Sequence, residues 1–339
     1  MLKGLGCMIQ KQLPLISDAV ITAFGAYVPE RVLTNADLEQ MVETNDQWIF
    51  QRTGIKERRI AAENEYCSDM IFGAVRDMQR RYRVDLDDID YILVATTTPD
   101  AVFPSMAARV QAEFGIRACG ATDVQATCAG FVSALQLANG LVLTGAYRKI
   151  LVVGAETLSK ATDYSDRSTC ILFGDGAGVM LVEKGEAGAF LASYNQTDGR
   201  NGHHLYRSAL APAINGVSIE QNGKIVQNGR EVYRWAVTAV PKGIKALMDK
   251  AGMSVNEIDW FVPHSANMRI VESICEKTGI PLDRTLTSMR EYGNTSAASI
   301  PLALDLALKN NRISTGDLLL LYGFGGGLTE AALLVRWTL

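Results

Sequence analysis

The chain has 339 residues, 48% hydrophobic and 21% charged, enough for one large domain or two fused halves with a sizeable core. Its formal charge of −4 gives no bulk attraction to nucleic acid or an anionic membrane, so an acidic partner must be met by local basic residues. No apolar run approaches the roughly 20 residues that span a bilayer, and the six cysteines are scattered without a CxxC pair, against a disulfide framework or metal site.

Residues 1–17 carry Lys3, Gln10, Lys11 and Gln12, which interrupt any signal-peptide core, and read as an extension with little role in the fold. A cytoplasmic protein is the expectation. A short apolar strand follows in 18–29, and Thr34-Asn35-Ala36-Asp37 opens a helix with Thr34 or Asn35 as its cap. The run IDYILVATTT, 89–98, is a buried strand ended by Pro99-Asp100. A helix is expected over Phe103–Phe114, a short strand over Ala121–Gln125, and a helix apolar nearly all round over 129–144. KILVVGA, 149–155, reads as a buried strand, and CILFGDGAGVMLVE, 170–183, as strand, glycine turn and strand.

Residues 195–228, rich in Asn, Gly, Gln and Ser, form a long surface connection. The α/β pattern then resumes. A helix runs from Arg230 to about Ala251, a strand spans Ile258–Val262, and helices begin near Asn267 and Thr295. Strands at Asp317–Tyr322 and Ala331–Trp337 close the chain. This alternation implies a mixed or parallel sheet covered by helices on both faces.

The two halves echo each other: IDYILVATTTPD matches IDWFVPHSAN, and FGDGAGVMLVE matches GGLTEAALLVRW. The period is far too long for a solenoid and implies two similar α/β halves, 18–194 and 229–339, whose strand ends converge on one site.

Three residues stand at such strand ends. Cys128, in QATCAGF, sits where a strand yields to the buried helix, so that the helix N-terminus favours thiolate and the elbow exposes the sulfur. His264 follows the strand IDWFVP, and Asn294, in YGNTS, occupies the corresponding elbow of the second half. Taken singly, a buried free Cys, a structural His and a helix-capping Asn are the ordinary readings. Together they suggest a nucleophile, a proton-handling partner and an amide donor. Gly323-Phe324-Gly325-Gly326-Gly327 precedes no helix and fails the dinucleotide and P-loop contexts, but its backbone can approach an oxyanion. Gly174-Asp175-Gly176-Ala177-Gly178 reads as a structural turn.

The segments TNDQWIFQRTGIKERR, TTTPDAVFPS, DRSTCILFGDGAG, GREVYRWAV, VPHSANMRI, YGNTSAASIPLALD and GFGGGLTEAALLVRW resemble the β-ketoacyl-(acyl-carrier-protein) synthase III family of the thiolase-like superfamily, from about Ile21 to Trp337. The resemblance implies a two-stage reaction. Cys128 takes an acyl group from a short acyl-CoA; His264 and Asn294 then support decarboxylation of malonyl-acyl-carrier protein, and the carbanion attacks the acyl-Cys. It implies an oxyanion hole from the backbone of Cys128 and Gly326. For CoA it implies Trp48, Arg52, Arg167, Tyr233 and Asn267, and for the acidic carrier protein Arg234 and Arg269. It also implies a homodimer in which Phe103 reaches the partner's acyl pocket. CoA and carrier protein are substrates, and no cofactor or metal is expected.

Ser265 stands where Gln is frequent in the family, and Glu330 where Trp is frequent. Rival chemistries are less well matched. The glycine loop lacks the second cysteine of biosynthetic thiolases, no glutamate stands out for a hydroxymethylglutaryl-CoA-synthase-like reaction, and the local signature of papain-like hydrolases is absent. A starter-loading synthase of secondary metabolism is the main alternative.

Overall fold

A computed structural model describes residues 17–339. The expected extension falls outside the described residues except for Ser17, which is buried and donates its hydroxyl to Asn139 Oδ1 at 2.6 Å. Five apolar strands form the first sheet, in the spatial order Ala19–Tyr27, Asp175–Lys184, Lys149–Thr157, Tyr91–Ala95, Gly120–Val124. The first three are antiparallel neighbours and the last three are parallel.

The second sheet repeats this plan with Phe190–Thr197, Thr329–Arg336, Leu318–Gly325 and Trp260–Pro263. Its fifth member is reduced to one parallel bridge between Phe261 and Thr285. Parallel neighbours require a crossover, and in each half a helix supplies it.

The two central helices, Gly130–Leu143 and Ser299–Lys309, lie between the sheets and share one core with their inner faces, including Phe131, Leu135, Val152, Ile300, Leu304, Leu321 and Leu333. A helix that is apolar nearly all round suits that position, buried against protein on most sides. Cys67–Tyr82 and Met106–Glu113 cover the outer face of the first sheet. Gly229–Ala251 and Met268–Thr278 cover that of the second. Five layers result, helix, sheet, helices, sheet, helix, as thiolase-like folds require.

The duplication extends to single turns. Each central helix is preceded by a 3₁₀ turn, Thr127–Ala129 in one half and Ser296–Ala298 in the other. Thr127 and Ser296 open these turns with the same φ of 45°.

Four local expectations change. The helix expected from Phe103 starts at Met106, because Ser105 Oγ caps Ala108 N and Asp123 accepts the Met106 and Ala107 amides; Phe103 lies in the loop before it. Cys170 closes a short helix, Arg167–Cys170, and the stretch to Gly174 makes only a bridge from Phe173 to Asn294, so one strand rather than two follows it. Asp175 begins that strand, and its buried carboxylate accepts from the Ala61 and Ser159 amides. Phe190–Thr197 pairs with Thr329–Arg336, so a boundary at 194 would cut a strand of the second sheet. Residues 195–228 contain small pieces of structure, notably Leu205–Arg207 paired with Ile225–Gln227.

Candidate active site

Cys128 is the middle residue of the turn that opens the first central helix and is 9% exposed, so the elbow covers the sulfur rather than presenting it. A Cβ added to Gly325 would lie 2.7 Å from Cys128 Sγ, which is why a strand carrying Leu and Tyr becomes glycine at this point. The Thr127 hydroxyl donates to the Gly326 carbonyl at 2.7 Å and ties the glycine loop to the turn. The backbone amides of Cys128 and Gly326 and the side chain of Ser296 each act to lower the Cys128 thiol.

These donors favour thiolate, but burial outweighs them and pushes the Cys128 thiol up to about 12. The resting group is therefore a thiol, not the thiolate expected from its helix position. A nearby buried carboxylate, Glu156, pushes in the same direction.

His264 extends its strand by one more parallel hydrogen bond, from its amide to the Tyr322 carbonyl at 2.7 Å. Its ring packs edge-on to Phe324, with centroids 5.4 Å apart, and Nδ1 lies 2.7 Å from Ser299 Oγ. Ser299 Oγ also accepts the Ser265 amide at 3.4 Å. Nδ1 is thereby engaged by the protein, and Nε2 is the ring nitrogen left to face a substrate. Burial lowers the imidazole to about 3, which keeps it neutral at ordinary pH.

Asn294 is buried, with its amide nitrogen on the Leu172 carbonyl and its carbonyl accepting from Gly174. Its Oδ1 accepts from Ser296 N at 2.9 Å. This is an Asx-type turn rather than a helix cap, since Thr295 and Ala298 are the cap residues here, and it leaves the side-chain NH₂ as the donating end.

Trp48, Arg52 and Arg167 come together from two distant segments. Asn45 caps the helix Asp46–Thr53, which carries Trp48 and Arg52, and both guanidinium carbons lie 5.2 Å from the Trp48 ring centre. Arg167 is also held by the Glu43 carbonyl at 3.0 Å. Flat cationic and aromatic faces stacked on a surface suit a planar base.

Asn267 caps the helix Met268–Thr278 through Oδ1, which accepts from Arg269 N at 2.9 Å. Tyr233 and Arg234 are exposed near the start of Gly229–Ala251, with Arg234 paired to Glu231, and Arg269 is exposed on the neighbouring helix. Phe103 is 83% exposed. Glu330, in the position where Trp is frequent, is buried and accepts from Tyr322 Oη at 2.8 Å and Tyr194 Oη at 3.4 Å. Ser265 donates nothing to the site; its hydroxyl accepts the Ser288 amide at 2.9 Å.

Sequence reasoning passed over Glu156, Ser296 and Ser299. The first had a signal: one carboxylate inside the apolar strand KILVVGAET. The serines had none, because they read as part of a helix start.

Comparison with known proteins agrees with this architecture. Profiles for 3-oxoacyl-[acyl-carrier-protein (ACP)] synthase III match residues 122–199, and for its C-terminal region residues 248–337. The β-ketoacyl-[acyl-carrier-protein] synthase III 2 of Halalkalibacterium halodurans is 56% identical over 324 residues, covering 95% of this chain and 98% of that protein. The Bacillus subtilis protein of the same name is 56% identical over 323 residues, covering 95% and 99%. The crystal structure of the synthase III from Thermus thermophilus superposes with a TM-score of 0.90 at 47% identity, covering 94% of this chain and 99% of that one. Identity at this level, sustained across nearly the whole length, means that the chain belongs to the β-ketoacyl-(acyl-carrier-protein) synthase III family.

Proposed function

We propose that Cys128, His264 and Asn294 carry the condensation that this enzyme performs. The enzyme is an acyltransferase. It joins a short acyl group from acyl-CoA to malonyl-acyl-carrier protein with loss of CO₂, the condensation that initiates fatty acid synthesis. The starter-loading alternative is not favoured, because relatives at 56% identity are synthase III proteins.

The observation that carries the assignment is that Cys128 lies in the turn at the head of a buried helix, with the glycine loop tied to that turn so that the amides of Cys128 and Gly326 act on its sulfur. Attack of sulfur on the thioester carbonyl places the new oxyanion beside those same amides. CoA leaves as the thiol. The malonyl thioester carbonyl then accepts from His264 Nε2–H and the Asn294 NH₂, which hold the negative charge as CO₂ departs. The carbanion attacks acyl-Cys128, and the C–S bond breaks to release the β-ketoacyl product.

Trp48, Arg52 and Arg167 take the adenine end of CoA, with Tyr233 and Asn267 along the pantetheine. Arg234 and Arg269 meet the acidic carrier protein, a local positive surface on a chain of net charge −4. The enzyme acts as a homodimer, supported by apolar side chains left in water: Phe103 at 83% and Leu210 at 97% exposure. No described helix is long and apolar enough to cross a membrane, and the cytoplasm is the proposed location.

Radiolabelled acyl-CoA tests the central assignment. Label is expected on Cys128 and none on Cys128→Ala; label on another residue would refute the nucleophile. His264→Ala and Asn294→Ala should still acylate but lose condensation.

A further inference from the structure

Gly325, Gly326 and Gly327 follow one another in the loop beside Cys128, and glycine is the residue least committed to one backbone conformation. An amide that must meet a developing charge needs the opposite, a fixed direction. Two anchors flank the loop. Gly325 still belongs to the strand Leu318–Gly325 and pairs with Thr329, and Leu328 exchanges backbone hydrogen bonds with Asp198 at 2.8 and 3.1 Å. Gly326 stands between them.

Thr127 supplies the hold at that point. It lies 199 positions away in the chain, and its hydroxyl donates to the Gly326 carbonyl at 2.7 Å. Its methyl closes on the same residue. A Cβ added to Gly326 would lie 3.2 Å from Thr127 Cγ2 and 3.3 Å from the Leu205 carbonyl oxygen, so Gly326 fills a slot bounded by both. The backbone of Thr127 is a poor place for threonine, since its φ of 45° lies in the left-handed region, where a branched side chain is an outlier. The matching turn of the second half puts the unbranched Ser296 at the same angle. Strain of this kind persists where the surroundings over-determine it, and here hydroxyl and methyl both engage Gly326.

We propose that Thr127 is a positioning residue for acyl transfer, holding Gly326 so that its amide faces the oxygen that turns negative as Cys128 attacks the thioester. The inference rests on Cys128 being the nucleophile and Gly326 an oxyanion donor. Sulfur adds to the carbonyl carbon, and the π electron pair moves onto oxygen. Collapse breaks the bond to the CoA sulfur, which leaves with that pair and takes the proton that Cys128 gives up. A Cβ on Gly325 would lie 2.7 Å from Cys128 Sγ, so the peptide bond from Gly325 to Gly326, which carries the amide, starts beside the reacting sulfur. Held at Gly325 by the strand and at Gly326 by Thr127, the amide is in place before the charge appears.

The test compares two reactions of one sulfur in Thr127→Ala, Thr127→Ser and Thr127→Val. Acylation from acyl-CoA, followed in a single turnover, passes through an oxyanion. Alkylation by iodoacetamide attacks a saturated carbon and forms none, so it reads the sulfur alone. Mass spectrometry identifies the modified peptide, and thermal melting confirms folding. Thr127→Ala and Thr127→Val should slow acylation roughly tenfold to a hundredfold while Cys128 alkylation stays within about twofold of the parent. Thr127→Ser keeps the hydroxyl and should retain most of the rate. In the slow variants kcat and kcat/KM should fall together, as for an interaction made only in the transition state.

Equal losses in acylation and alkylation would mean that Thr127 places the sulfur rather than the amide, and would overturn the proposal. Parental acylation in Thr127→Ala would do the same. In either case label on Cys128 leaves the nucleophile standing, whereas label on another residue overturns both. Should Thr127→Val fail to fold, Thr127→Ala and Thr127→Ser, which differ by one oxygen, decide. Slow alanine with restored serine supports the hold, and equal rates refute it.

Discussion

His264 Nδ1 and Ser299 Oγ lie 2.7 Å apart, and Ser299 is the first residue of the second central helix. The hydroxyl holds the imidazole by one nitrogen and so orients the other towards a substrate. Ser299→Ala should lower malonyl decarboxylation roughly tenfold to a hundredfold, by analogy with lost orienting partners of ligating histidines. Acylation of Cys128 should change little. Equal losses in both half-reactions would show that Ser299 serves packing alone.

The buried imidazole also shapes acid stability. The unfolded chain binds a proton at His264 below its ordinary value near 6.5, and the folded chain does so only near 3. Its contribution is present above 6.5 and is lost as pH falls towards 3. In His264→Ala the urea midpoint should decline less steeply between pH 6.5 and 4, and a slope identical to the parent's would contradict the assignment.

Cys128 works in the opposite direction. Its thiol is raised to about 12 against an unfolded value near 8.5, so its contribution is full below 8.5 and fades as pH rises towards 12. Alkylation of Cys128 by iodoacetamide should keep accelerating through pH 9 and 10. A plateau below pH 8 would mean that the thiolate is already formed at rest.

Gly325 leaves room for the sulfur. Gly325→Ala places a methyl 2.7 Å from Cys128 Sγ and 2.9 Å from its Cβ. Overpacking of this kind costs about 1–3 kcal/mol, so the protein should fold with a lowered melting temperature. Acylation should fall at least about a hundredfold, because misplacing a reacting atom by about 1 Å costs that much. Parental acylation kinetics would show that the strand yields freely.

The Trp48 stack bears on binding rather than chemistry. Trp48→Ala should raise KM for acyl-CoA about tenfold or more with kcat nearly unchanged. Arg52→Ala and Arg167→Ala should each raise it roughly threefold to fivefold, since an exposed cation–π contact contributes about 0.5–1 kcal/mol. A fall in kcat without a change in KM would place the stack in catalysis.

Much of this enzyme could be read from one-dimensional pattern. The apolar runs at 91–95, 149–155 and 318–322 are strands because they are short, continuous and bounded by turns. The repeat between the halves is visible in the strings around Cys128 and Asn294, and the sheets repeat the same strand order. Where local capping competed with apolar pattern, as at Ser105 before Met106, the cap decided the helix start.

Tertiary structure decided what no local pattern encodes. Cys128 meets Gly325 and Gly326 of the glycine loop, residues far away in the chain, only because the two halves pack through their central helices. The same packing removes water from Cys128, His264 and Glu156, and desolvation dominates the titration of all three. Helix position alone argued for a thiolate; burial, which belongs to the assembled fold, made the resting group a thiol.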